Sequence, residues 1–242
     1  GSKSTELNSQ KHIHQNIKVG ATERLSTLSN YKQRNTARGW QMKKYQKKDD
    51  ANVKTSKALS WLLRHGAVQE GLVMNADGFL KMDDVLEYFH KKGQKLTVEK
   101  IMEIVETNDK KRFEVKKDID RDTEDKVLWI RATQGHSIKE VETDKLLEKI
   151  EDPTEFPVVV HGTYKKFWEP ILNEGLKRMT RLHIHFAPGY PKDKGVISGM
   201  RSSCDILIEI DMAAAMKDGI QFFLSSNNVI LTEGIEGVLP PK

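Results

Sequence analysis

The sequence predicts an α+β protein in two lobes, helical first and strand-rich second. Three observations predict it. Apolar residues recur at helical spacing from about residue 54 to 105. Two short runs, 112–115 and 127–132, then read as a β-hairpin. Beyond a charged connector at 139–154, brief apolar runs separated by glycine and polar turns give a strand-dominated remainder. At 242 residues the chain is long enough for one large or two small domains.

In chain order, residues 58–66 read as a short amphipathic helix with Leu59, Leu62 and Leu63 on one face. Ser56 is placed to cap its start, and Gly66 to end it in the left-handed conformation. Asn75-Ala76-Asp77-Gly78 is a turn signal. A second helix at 82–89 turns Val85, Leu86 and Phe89 inward and stops at Gly93. Thr97 caps a third, which buries Ile101, Ile104 and Val105. The hairpin follows, joined by the charged loop 118–125. Three helices and a hairpin make a winged-helix layout over 51–150. The second unit, 151–242, opens with a strand at 156–160 running into His161-Gly162-Thr163. A helix at 165–173, distorted in its first turn by Pro170, stops at Gly175. Strands at 182–186 and 204–210 flank a loop from Gly189 to Gly199. Residues 222–224 and 229–232 pair through Ser225-Ser226-Asn227-Asn228.

The net charge of +5 is unevenly placed. Residues 1–50 hold 11 Lys or Arg against 4 Asp or Glu, about +7, so the remainder is slightly acidic. That segment reads as a basic, flexible tail that either follows a nucleic-acid backbone, with Tyr31, Trp40 and Tyr45 interspersed, or merely solubilises. Gly1-Ser2 resembles a cloning remnant, and no signal peptide or bilayer-length apolar run follows. The single cysteine, Cys204, excludes an internal disulfide framework and fits a reducing compartment. An intracellular monomer, in cytoplasm or nucleus, is expected. CxxC pairs, HExxH and GxxxxGK[ST] are missing, so no metal and no Walker-type site is expected.

Chemistry concentrates in five places: Arg64-His65; Lys110-Lys111-Arg112; Arg131 with Gln134, Gly135, His136 and Ser137; His161-Gly162-Thr163 with His183 and His185; and Ser198-Gly199-Met200-Arg201. Each has an ordinary reading beside the chemical one. Cations collect at helix C-termini, a histidine alternating with Ile184 and Phe186 fits the solvent face of a strand, and a lysine run is commonly solvated. Together the set is rich in arginine and poor in candidate bases, with no activated Ser or Cys. Such a site suits electrostatic stabilisation of phosphates better than acid–base hydrolysis.

The ordered motifs resemble the NAD-dependent tRNA 2′-phosphotransferases. They are 56–66 (SKALSWLLRHG), Asn75-Ala76-Asp77-Gly78-Phe79, 108–113, 130–137, Val160-His161-Gly162-Thr163, 183–188 and Ile197-Ser198-Gly199-Met200-Arg201, across residues 54–242. The resemblance implies an ADP-ribosyltransferase-like NAD lobe after the winged-helix RNA lobe. It implies transfer of the splice-junction 2′-phosphate of ligated tRNA, or of another RNA with an internal 2′-phosphate, to NAD as the last step of tRNA splicing. The products are 2′-OH RNA, nicotinamide and ADP-ribose 1″,2″-cyclic phosphate. By resemblance Arg64, His65, Arg112 and Arg201 are catalytic on the phosphate, and Lys110, Arg131, Gln134 and His136 contact phosphate or RNA. His161, Gly162, Thr163, Ser198 and Gly199 hold NAD, and His183 or His185 lines the same cleft. Two alternatives stand beside this: an ADP-ribosyltransferase of terminal nucleic-acid phosphates, and a non-catalytic winged-helix RNA-binding protein.

Overall fold

The computed structural model describes residues 19–20, 51–120, 123–191, 193, 196–201 and 203–241. Apart from Val19–Gly20, the basic segment 1–50 lies outside the described residues, and so does its expected role.

A two-residue strand, β1 (Val19–Gly20), comes first. A helix over 51–61, α1, then runs unbroken into a π-helical turn, Leu62–Gly66. Two expectations are corrected here. Ser56 lies inside the helix and caps nothing. Gly66 does not close the helix with a positive φ, because the backbone stays helical into Ala67 (φ −52°, ψ −52°). The wide turn is closed by the Ala67 N–H donating to the Leu62 carbonyl at 2.9 Å. Glycine is required by space: a Cβ at position 66 would stand 2.4 Å from Cη2 and 2.5 Å from Cζ3 of Trp61. In helical backbone alanine is ordinarily better than glycine by about 0.5–1 kcal/mol. Gly66→Ala is expected instead to cost about 1–3 kcal/mol by overpacking. It should stabilise once Trp61 is also alanine. Urea unfolding of the four proteins checks both signs.

β2 (Leu80–Lys81) leads directly into α2 (Met82–Lys91), and Gly93 follows at φ 77°. Thr97 caps α3 (Val98–Glu106), its hydroxyl accepting from the Lys100 N–H at 3.3 Å. β3 (Phe113–Ile119) and β4 (Lys126–Ala132) form the expected hairpin, registered from Phe113 opposite Ala132 to Ile119 opposite Lys126. β2 pairs with the other side of β4, giving the order β2-β4-β3. Leu59, Leu62, Leu63, Phe89, Ile101 and Ile130 are buried in one core. Each contributes roughly 1.5–3 kcal/mol by leaving water.

The connector holds α4 (Thr143–Leu146) and β5 (Glu148–Lys149). It is not the single helical piece its charge pattern suggests, because β5 is claimed by a distant partner. β6 (Val160–Thr163) begins later than expected, since Pro157 has no N–H for a ladder. A 3₁₀ turn at Lys165–Phe167 enters α5 (Trp168–Glu174), whose first turn accommodates Pro170 and whose end is set by Gly175 at φ 84°. β7 (Leu176–Lys177), β8 (Ile184–Phe186), β9 (Ile206–Glu209), α6 (Met212–Lys217), β10 (Phe223–Leu224), β11 (Ile230–Thr232) and β12 (Val238–Leu239) complete the chain. Two antiparallel sheets, β5-β10-β11-β8 and β1-β9-β6, are joined by a bridge between Val160 and Ala187. Phe186, Phe222, Ile208 and Ile230 fill their core. Phe223, Val229 and Leu231 pack instead into the helical core, so the two halves share an apolar seam. The mixed architecture agrees with the α+β expectation. No described helix is long and apolar enough to cross a membrane.

Candidate active site

The π turn delivers Arg64 and His65 into a cleft of about 670 Å³ between α1 and the loop after α3. Lys57, Lys110 and Arg112 line it as well, with Asp109 the single carboxylate among the described lining residues. The guanidinium of Arg64 is the most constrained group. Its Nε and Nη2 are buried without a hydrogen-bond partner. Burial pulls its pKa down to about 10, and Arg112 and Arg181 add to the shift. Gly135 lies beside the stem, where a Cβ would make ordinary contact at 3.4 Å from Arg64 Nε, so glycine is favoured there by its φ of 90°. His65 Nδ1 is 2.8 Å from Ser137 Oγ. Its pKa is held below the ordinary imidazole value by burial, then by Arg64 and Arg181. Arg112 is oriented by Asn108, whose side-chain oxygen accepts from the Arg112 backbone N–H at 3.1 Å and from Nη1 at 3.4 Å. Lys110 donates to the Met200 carbonyl at 3.2 Å, which ties the cleft to the second half of the chain.

Arg181 belongs to this cluster and was not singled out by its sequence motif. It reaches solvent, its pKa is lowered by partial desolvation and by Arg201, and it acts on Arg64, His65 and His185. A signal was available: Arg181, His183 and His185 are spaced by two, which sets them on one face of an extended segment. Arg201 is exposed and more peripheral, beside Arg181 and within hydrogen-bonding reach of the Tyr164 hydroxyl.

Next to Arg64 and Arg181 lies a layer of histidines, with His136, His183 and His185 buried and His161 half-buried. His185 is buried and its Nε2 has no partner. His161 Nδ1 donates to the His185 carbonyl at 2.8 Å. The Thr143 hydroxyl donates to Glu233 at 2.5 Å and therefore accepts from His183 Nε2 at 3.0 Å. Glu233 is thus engaged at the rim of this layer. Both ring nitrogens of fully buried His136 are unpartnered. Desolvation, reinforced by Arg64, lowers the His136 pKa to about 3. The sign follows from linkage: the unfolded chain binds the proton near pH 6.5 and the native chain does not. Stability is full above about pH 6.5 and falls on acidification toward 3. Between pH 7 and 5 the loss from His136 is about 2 kcal/mol. Urea midpoints at the two pH values, compared with His136→Gln, measure it; equal pH dependence in the two proteins would contradict it.

The remaining motif residues divide. Thr163 and Ser198 are buried close to the same histidine layer's strands, on β6 and on the loop after β8. Gly199, at φ 99°, presses on the end of β8, where a Cβ would lie 2.7 Å from the Phe186 carbonyl oxygen. Gly162 is a glycine because a Cβ would stand 2.9 Å from Cys204 Sγ and Met200 Cβ. Its close approach is to the chain's own loop. Gln134 is buried. Arg131 is turned away: Nε and Nη2 donate to Glu114 at 3.0 and 2.8 Å, and Nη1 to the Asp77 carbonyl at 3.0 Å. Its fork is spent on structure. Among the described residues no group of three or more His, Cys, Asp or Glu could hold a metal ion.

This geometry can grip an anion with several cations while offering little acid–base machinery. Comparison with known proteins points the same way. The chain is 45% identical over 195 residues to tRNA 2′-phosphotransferase 1 of Danio rerio, covering 80% of this chain and 84% of that protein. It is 45% identical over 198 residues to the Homo sapiens protein of the same name, covering 81% and 75%. It is 40% identical over 198 residues to tRNA 2′-phosphotransferase of Saccharomyces cerevisiae, covering 80% and 84%. Residues 50–234, which include every cation of the cleft, match the RNA 2′-phosphotransferase, Tpt1/KptA family, and the chain belongs to it.

Proposed function

We propose that the protein removes an internal 2′-phosphate from RNA, the splice-junction phosphate of ligated tRNA, and transfers it to NAD. The observation that carries this reading is Arg64: a partly buried guanidinium crowded by Arg112 and Arg181, with two unpartnered nitrogens in a cation-lined cleft. A dianion in that cleft relieves the repulsion among the three arginines. The three helices with β2-β4-β3 support a winged-helix RNA lobe, and the two joined sheets support an ADP-ribosyltransferase-like lobe.

The residues fit a nucleotide co-substrate. The unpartnered Nε2 of His185 has Arg181 and Arg64 as electrostatic neighbours, so a hydrogen-bonding group and positive charge adjoin. His161, Thr163, His183, His185 and Ser198 would hold NAD, as the resemblance implies, whereas Gly162 and Gly199 serve close packing against the chain's own loop and strand. When bound, NAD supplies the ribose carbon that takes the 2′-phosphate as nicotinamide leaves, and the ribose hydroxyl whose attack on phosphorus yields 2′-OH RNA and ADP-ribose 1″,2″-cyclic phosphate. The nucleophile of the first step is already anionic, so the chain's task is to hold and aim it. Arg64, Arg112 and Lys110 fix the phosphate. His65, positioned by Ser137, adds a donor. Arg181, the electrostatic neighbour of Arg64 and His65, would meet charge building on phosphorus in the second step.

The test is an RNA with one internal 2′-phosphate, incubated with and without NAD. The expected result is loss of the phosphate only with NAD, with release of nicotinamide. RNA that gains and keeps ADP-ribose would identify a transferase of the first step alone. Binding without change would make this an RNA-binding module.

A further inference from the structure

We infer that Trp61 is a stacking platform for an unpaired nucleobase beside the 2′-phosphate, which makes it a binding residue for substrate RNA. The inference rests on the reading of the Arg64 cleft as an RNA phosphate site. Trp61 is 43% exposed, whereas its neighbours Leu59, Leu62 and Leu63 are at 0%. A large indole left in water at the mouth of a cationic cleft is apolar surface awaiting a partner.

The ring is also held in place. The π turn brings position 66 beneath residue 61, and only glycine leaves space for the six-membered ring there. Wide turns of this kind are rare and cluster at functional sites. Rigidity matters because a base gains most by stacking on a ring that is already ordered. The surroundings complete the pattern. Lys57 lies four residues before Trp61, Arg64 three and His65 four after it, and all four line the cleft. A cation, an aromatic face and a second cation along one helix face form a track for single-stranded nucleic acid. A base inside a duplex is already stacked on both sides, so the platform selects an unpaired nucleotide.

The test measures binding of two RNAs bearing the internal 2′-phosphate, without NAD: one complete, the other abasic around the phosphorylated nucleotide. Trp61→Ala should weaken the complete RNA about tenfold, or about 1.4 kcal/mol, in the range of one base on an aromatic ring. Trp61→Phe should recover most of that. On the abasic RNA wild type and Trp61→Ala should bind alike. In turnover the alanine variant should raise KM for the complete RNA and leave kcat within about twofold. Equal weakening on both RNAs, or none on either, would overturn the platform. Failure of wild type to remove phosphate with NAD would overturn the phosphotransferase reading while leaving this binding comparison decisive for Trp61.

Discussion

Arg64→Met should lose about three orders of magnitude in turnover and at the same time gain thermal stability. Donors that meet developing charge on a reacting group are worth about 10²- to 10³-fold, and an arginine on a transferring phosphoryl group about 10³- to 10⁵-fold. Methionine keeps the apolar stem against Gly135 but removes a cation that burial and two neighbouring arginines destabilise. The two changes in opposite directions separate a residue built for a ligand from one built for the fold. Arg64→Lys should stay impaired, because an ammonium cannot present a planar fork. Activity assays and melting curves on the same preparations check both arms. A Met variant that is active, or inactive only because it unfolds, would count against the assignment.

The second large effect separates the two arginines of the later segment. Arg181→Ala should lower turnover about 10²- to 10³-fold, the scale for one such donor, and let ADP-ribosylated RNA accumulate. Arg201→Ala should cost less than about tenfold: both arginines are exposed, but Arg201 bears on Arg181 and not on Arg64 or His65. The family resemblance alone gives this role to Arg201, whereas the electrostatic neighbours of Arg64 and His65 give it to Arg181. Single-turnover product analysis of both variants decides; a larger loss and accumulation at Arg201 would return the role to it.

Much of the fold is legible wherever the forces are local. The Thr97 cap, the stop at Gly93, the 113–132 hairpin and the pairing of β10 with β11 follow from spacing and turn chemistry. β2 and β5 are not legible, because two residues hold no period and their partners lie far along the chain. The same division runs through the site. Arg64, His65, Lys110 and Arg112 are found by motif and meet in one cleft. Arg181 lies 117 positions from Arg64, so its place is a fact of folding. Arg131 shows the converse: it neighbours Gln134 and His136 in sequence, yet cross-strand Glu114 takes its guanidinium. Gly66 is visible as a glycine, but its reason is the ring of Trp61 and a π turn that no pattern announces.

The most direct measurement compares the affinities of two otherwise identical RNAs, one with an internal 2′-phosphate and one with a 2′-OH, in the absence of NAD. If the cluster of Arg64, His65, Arg112 and Arg181 exists to hold that phosphate, the phosphorylated RNA binds at least about tenfold more tightly, since a charge-assisted fork contributes about 1.5–3 kcal/mol. The preference disappears in Arg64→Met. Equal affinity of the wild-type protein for the two RNAs would contradict the account at its centre.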